Sequence, residues 1–110
     1  MGRFVKGDIV VLNFPFSDFT RTKRRPALVL ADLTGNDIIL CQITSTASKD
    51  DYAIQIKNED YVEGKLRIQS LIRPNKIFTA DKSLINYTAC TIKSEKAEKA
   101  IEALAGLLAT

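Results

Sequence analysis

Arg25 opens one apolar stretch, Arg25 to Asp32 (RPALVLAD), and Thr44 closes another, Asp37 to Thr44 (DIILCQIT). A guanidinium carries five N–H donors and a permanent charge, and a threonine hydroxyl adds a further donor. A strand end holds such groups more rigidly than a loop does, as a preorganised catalytic group requires. An arginine in that place also pairs readily with a carboxylate, and the sequence leaves both roles open. Arg plus hydroxyl, with no histidine and no carboxylate cluster, suits metal-free chemistry on a phosphodiester. RNA brings its own nucleophile, the 2′-OH, so a protein need only orient the phosphate and stabilise the charge building on its oxygens. With a pKa above ~12, Arg is a poor general base, so charge stabilisation is its main expected role.

The chain has 110 residues and no histidine. That absence removes His-based acid/base relays, Ser-His and Cys-His nucleophile pairs, and His-ligated zinc. The net charge of +3 is unevenly spread. Residues 1–26 hold six cations against two carboxylates, a net of +4, which leaves ten against eleven, or −1, for the rest. Arg21, Lys23, Arg24 and Arg25 fall within five residues, an electrostatic footprint for a polyanion. A solvated cationic loop has the same composition. Phe14, Phe16 and Phe19 flank the cluster with Ser17, Thr20 and Thr22 between them. Rings that stack bases at ~1–3 kcal/mol each, beside cations that neutralise phosphates, are what single-stranded nucleic acid needs. Phe14, at a strand end, reads as core, and Phe19 reads as the exposed ring.

These groups need a scaffold, and the length fits one domain spanning residues 1–110. Gly7 to Phe14 (GDIVVLNF) reads as a buried strand, and Pro15 to Arg24 as a loop. Turn chemistry at Thr34-Gly35-Asn36-Asp37 joins Arg25–Asp32 to Asp37–Thr44 as a hairpin, which brings Arg25 and Thr44 to the same end. Tyr52 to Lys57 alternates as a half-exposed strand. Ser70–Arg73 and Lys76–Thr79, either side of Pro74, and Tyr87–Ile92 are further short strands. Ser94 to Leu108 is the one strong helix, with Ser94 as N-cap and an apolar stripe of Ala97, Ile101, Leu104, Ala105 and Leu108, widened by Leu107. Several short strands and a terminal helix make a mainly β (α+β) fold, a small partly open β-barrel with a C-terminal helix packed on it.

Cys41 and Cys90 stand singly in apolar stretches and read as free buried thiols. The start lacks a signal-peptide core, and no apolar run approaches the ~20 residues of a membrane span, so a soluble cytoplasmic protein is expected.

The ordered set of motifs resembles the MazF/PemK family of toxin endoribonucleases from bacterial type II toxin–antitoxin modules. The matching pieces are Gly7-Asp8-Ile9-Val10, Arg25-Pro26-Ala27-Leu28-Val29-Leu30 and Ile43-Thr44-Ser45. Ser70 with Ile72, then Lys76-Ile77-Phe78-Thr79-Ala80-Asp81-Lys82, follow in the same order. The resemblance implies an SH3-like barrel of the CcdB/PemK kind, a homodimer, and sequence-specific cleavage of single-stranded RNA or mRNA. It implies no metal or other cofactor, and 2′,3′-cyclic phosphate and 5′-hydroxyl ends. It also implies a cognate acidic antitoxin whose disordered tail competes for the basic groove. By position Arg25 matches the family's catalytic arginine and Thr44 its catalytic threonine. Where the family carries a Gly-Ser-Glu type segment that helps cover the RNA, this chain has Ser17-Asp18-Phe19-Thr20 and no Glu, a version frequent in the PemK-like branch. The residues expected at the RNA are therefore Ser17, Asp18, Phe19, Thr20, Arg21, Lys23, Arg24, Ser45 and Ser70.

Two other classes share the fold. A CcdB-like gyrase poison carries Trp at its C-terminal tip, whereas this chain has no Trp and ends Leu107-Leu108-Ala109-Thr110. A catalytically silent SH3-like module binding nucleic acid or protein is the other alternative.

Overall fold

A computed structural model describes residues 4–14, 23–45 and 50–110. Seven antiparallel strands form one curled sheet: β1 (Asp8–Asn13), β2 (Arg24–Asp32), β3 (Asp37–Thr44), β4 (Ile54–Gln55), β5 (Tyr61–Glu63), β6 (Leu71–Asp81) and β7 (Ile85–Ile92). Their spatial order is β4-β6-β3-β2-β1-β7-β5, and helix α1 (Ser94–Leu108) closes the chain. The fold expected from the sequence, mainly β with a C-terminal helix on a partly open barrel, is the one observed.

The central strands read as near-continuous apolar runs because both faces of the sheet are covered. Along β1 the side chains alternate between two cores. Ile9 joins Leu28, Cys41, Ile43, Ile72 and Ile92, a cluster that Ala100, Ile101 and Leu104 of α1 pack against. Val10 and Leu12 join Phe14, Ala27, Val29, Ile38 and Leu40 on the other side. Phe14 is core, as expected, its ring tilted against Phe78 at a centroid distance of 5.0 Å.

Gly7 starts β1 at a φ of +104°, where a Cβ would stand 2.9 Å from the Ile92 carbonyl oxygen. That close approach serves the sheet: the Ile92 N–H donates to the Gly7 carbonyl at 2.9 Å and the Gly7 N–H to Val29 at 3.2 Å.

Four local expectations need correction. Ser70–Arg73 and Lys76–Thr79 are one strand, β6, not two. Its register against β3 jumps from Cys41↔Ile77 to Gln42↔Arg73, so Pro74 is carried in a bulge, where its missing N–H costs no ladder bond. The alternating Tyr52–Lys57 run shortens to the two residues of β4. Ser94 is the first helical residue and not the cap: Lys93 holds that place without a side-chain cap, and the Ala97 N–H closes on its carbonyl at 3.2 Å. The helix also sits rotated from the expected stripe. Ala97 and Ala100 are its buried residues, while Ala105 and Leu108 face solvent.

Candidate active site

Arg25 lies in β2, and across from it on β1 is Leu12. The β2–β3 pairs Val29↔Leu40, Leu28↔Cys41 and Ala27↔Gln42 keep one register, and Arg25 and Thr44 each lie two residues beyond the last of them, at the same end of the hairpin. Both line one cleft there. β6 supports Thr44 from its other edge through the pair Thr44↔Leu71.

A cleft of about 300 Å³ forms at this end of the hairpin, with Arg25, Thr44, Ser45 and Ser70 in its wall. Thus four of the residues expected from the sequence come together. Ser70 is buried, and its hydroxyl donates to the Ile68 carbonyl at 2.7 Å, fixing the bend that leads into β6. Lys23 and Arg24 do not line the cleft. Arg24 pairs with Asn13 as the first residue of β2, so it points to the sheet face opposite Arg25. The Lys23 carbonyl accepts from the Phe14 N–H at 3.1 Å, which carries the β1–β2 pairing two residues beyond the expected strand start at Arg25. Ser17, Asp18, Phe19, Thr20 and Arg21 lie outside the described residues.

Arg67 is the residue the sequence reading missed. It lines the same cleft with Leu66 and Ile68. Its signal was there in Lys65-Leu66-Arg67-Ile68-Gln69, where polar and apolar residues alternate outside any regular element. Among the described residues neither Arg25 nor Arg67 is held in an ion pair, while the nearby Arg73 is committed to Asp50 at 2.6 Å. That bond and the Tyr52 N–H hold the Asp50 carboxyl below the ordinary carboxylate range. Asp50 thereby ties the chain that follows β3 to β6, close to the strand end that presents Thr44.

The cleft therefore offers two guanidinium groups and three hydroxyl-bearing residues, with no carboxylate among the described residues of its wall. Such a set binds an anion and stabilises charge growing on it. A hard divalent ion asks for carboxylate oxygens instead. No group of three or more Cys, Asp or Glu suited to a metal gathers among the described residues. Cys41 and Cys90 are free and buried, and burial pushes their thiols up to about 12 and about 11. They are structural, not nucleophilic. No helix among the described residues is long and apolar enough to cross a membrane.

The whole chain has relatives of known structure. The fold is similar to that of an endoribonuclease in complex with its cognate antitoxin from a mycobacterial species, at a TM-score of 0.75 and 14% identity, over 97% of this chain and 96% of that one. It is similar to MazF in a MazE–MazF structure from Deinococcus radiodurans, at a TM-score of 0.74 and 22% identity, over 96% and 95% of the two chains. The Mycobacterium tuberculosis toxin MazF-mt6 follows, at a TM-score of 0.70 and 13% identity, over 92% and 95%. No curated protein matches the chain in sequence. Residues 5–108 match the family described as PemK-like, MazF-like toxin of type II toxin–antitoxin system, and on that near-complete match the chain belongs to this toxin family.

Proposed function

We propose that this toxin is a sequence-specific endoribonuclease that cuts single-stranded RNA without a metal ion, and that Arg25 and Thr44 carry the step. The single observation that supports this reading most is that Arg25 and Thr44, at strand ends on one side of the hairpin, line one cleft with no carboxylate among its described residues. The family match and the likeness to endoribonucleases of known structure supply the reaction class.

In the proposed step the 2′-hydroxyl gives up its proton to solvent and its oxygen attacks the adjacent phosphorus, while the bond from phosphorus to the 5′-oxygen breaks and that oxygen takes up a proton from solvent. The products are a 2′,3′-cyclic phosphate and a 5′-hydroxyl. Arg25 offers N–H donors to the non-bridging oxygens as their charge grows, and Thr44 adds a hydroxyl from the opposite strand. The rest of the RNA-binding set is proposed as Ser45 and Ser70 in the cleft wall, Lys23 and Arg24 beside it, and the Ser17–Arg21 segment. Ser70 enters mainly as a positioning residue, since its hydroxyl proton is used on Ile68.

The proposed assembly is a cytoplasmic homodimer of one-domain chains, inhibited by an acidic antitoxin with a disordered tail. Edge strands of two and three residues, with Val62, Ile77 and Tyr87 exposed, leave apolar surface for a second copy or a partner. Antitoxin complexes are known for structural neighbours from mycobacteria and Deinococcus radiodurans.

The test is incubation of total RNA with the purified protein in EDTA, followed by sequencing of fragment 5′ ends. Cuts at one short motif, lost in Arg25→Ala, support the reading. Intact RNA from a folded protein would instead favour a silent binding module.

A further inference from the structure

β6 meets β3 in two blocks, one on each side of the Pro74 bulge. The larger runs from Asp37↔Asp81 to Cys41↔Ile77; the smaller is Gln42↔Arg73, Ile43↔Ile72 and Thr44↔Leu71. The β2–β3 ladder stops at Ala27↔Gln42, so Thr44 ends a block of three pairs. Short antiparallel pairings are marginal by themselves, and strand ends open first. We propose that the ion pair between Asp50 and Arg73 fastens this block and so positions Thr44 for the cleavage step. The inference rests on the endoribonuclease reading and extends it from the cleft wall to a pair of residues outside it.

Arg73 reaches the sheet face that carries Thr44. Ile43 and Ile72 both enter the core beneath α1, so their neighbours in the block take the opposite face. Gln42 and Thr44 therefore share that face with Arg73 and Leu71, their partners on β6. Arg73 is the diagonal neighbour of Thr44, at the ~7–8 Å that a long side chain can span. It does not line the cleft: its Nε donates to the Asp50 Oδ2 at 2.6 Å.

Asp50 follows Thr44 by six residues, and its contacts bring the chain back to the block it has just left. Its other carboxylate oxygen accepts from the Tyr52 N–H at 2.9 Å, and its carbonyl from the Ala53 N–H at 3.3 Å. That turn leads into β4, which pairs Ile54↔Ile72 and Gln55↔Leu71. Leu71 and Ile72 are thus gripped from both edges by strands, and Arg73 by the Asp50 carboxylate. The two side chains are 5% and 25% exposed, and a charge-assisted bond this far from solvent holds its geometry better than a surface pair. A reacting group misplaced by ~1 Å can cost ~10²-fold in rate, so a fastening outside the cleft reaches the chemistry.

The test uses Asp50→Asn and Arg73→Gln in the full chain, at a temperature where circular dichroism shows both folded. The substrate is a single-stranded RNA with one mapped cut site, in EDTA. Each variant is expected to lower kcat about ten-fold and to leave KM within about two-fold of wild type. In a Thr44→Ala background, with enzyme in excess over RNA, the same substitutions are expected to change the residual rate by less than about two-fold, because the group they position is gone. Amide hydrogen exchange supplies a readout independent of activity. It is expected to quicken at residues 42–44 and 71–73 while residues 38–40 and 78–80 keep their wild-type rates.

A kcat within about two-fold of wild type, or a loss confined to KM, would overturn the proposal. So would a ten-fold loss that persists without the Thr44 hydroxyl, or exchange that quickens in both blocks alike or in neither. A folded wild type that leaves every RNA intact overturns the endoribonuclease reading, while the exchange comparison still decides whether the pair fastens the block.

Discussion

Thr44 and Arg25 each lie two residues beyond Ala27↔Gln42, the last pair of the β2–β3 ladder, and both line one cleft. The relationship is set by the strands that carry them, β2 paired to β1 at Arg25 and β3 paired to β6 at Thr44. Either residue can therefore be replaced without unpicking the strands that carry it.

Arg25→Ala and Thr44→Ala should each melt close to the wild type, because Arg25 is exposed and Thr44 only partly buried. RNA cleavage should fall by about 10²–10³ in each, the usual cost of removing one transition-state donor. Arg25→Lys should recover little, since a point charge cannot reproduce the planar fork. Growth arrest on expression, with circular dichroism as the folding control, checks all three variants.

Lys23 and Arg24 lie outside the cleft, and their contribution should be long-range. Lys23→Glu/Arg24→Glu should weaken RNA binding at low salt, and the slope of log affinity against log salt should fall by ~0.7 for each lost phosphate contact. Fluorescence anisotropy over a salt series measures that slope. An unchanged slope would make these cations a solvated surface.

The bond from Arg73 holds the Asp50 carboxyl low in the folded state, so the ion pair stabilises most where Asp is ionised in both states. Its contribution is complete above about pH 4, the unfolded value for Asp, and is lost as pH falls through the lower folded value. Asp50→Asn should therefore lower the urea midpoint at pH 7, and the gap to wild type should close in stronger acid. A gap that widens on acidification would refute the coupling.

Gly7 and Gly35 both adopt a left-handed φ, +104° and +89°, yet only Gly7 would drive a Cβ into backbone. Gly35→Ala should cost the ~1–2 kcal/mol of a left-handed L-residue. Gly7→Ala should cost more than that, because the Ile92 carbonyl must move and the bond from the Ile92 N–H strains with it. Denaturant titration of the two variants gives the comparison.

Much of the molecule was legible from local pattern. β3 and α1 run over the residues read from the sequence, because each has a clear period and a clear stop. β6 was divided at Pro74, since a proline reads locally as a break and only the facing strand shows that a bulge absorbs it. β5 was not foreseen: three residues, two of them exposed, give no local alternation, and their strand character comes from pairing with β7. At the site, Arg25 and Thr44 were legible because strand ends are set by apolar runs. Arg67 was not, since its segment reaches the cleft through tertiary placement alone.

The central claim is that the RNA supplies the nucleophile while Arg25 and Thr44 supply the charge stabilisation. Its most direct measurement is cleavage, in EDTA, of two otherwise identical single-stranded RNAs, one carrying a 2′-deoxy sugar at the cut nucleotide. Cleavage of the all-ribose strand to 2′,3′-cyclic phosphate and 5′-hydroxyl ends, with the deoxy strand left intact at that position, is the predicted result. Cleavage of the deoxy strand at the same bond would contradict it.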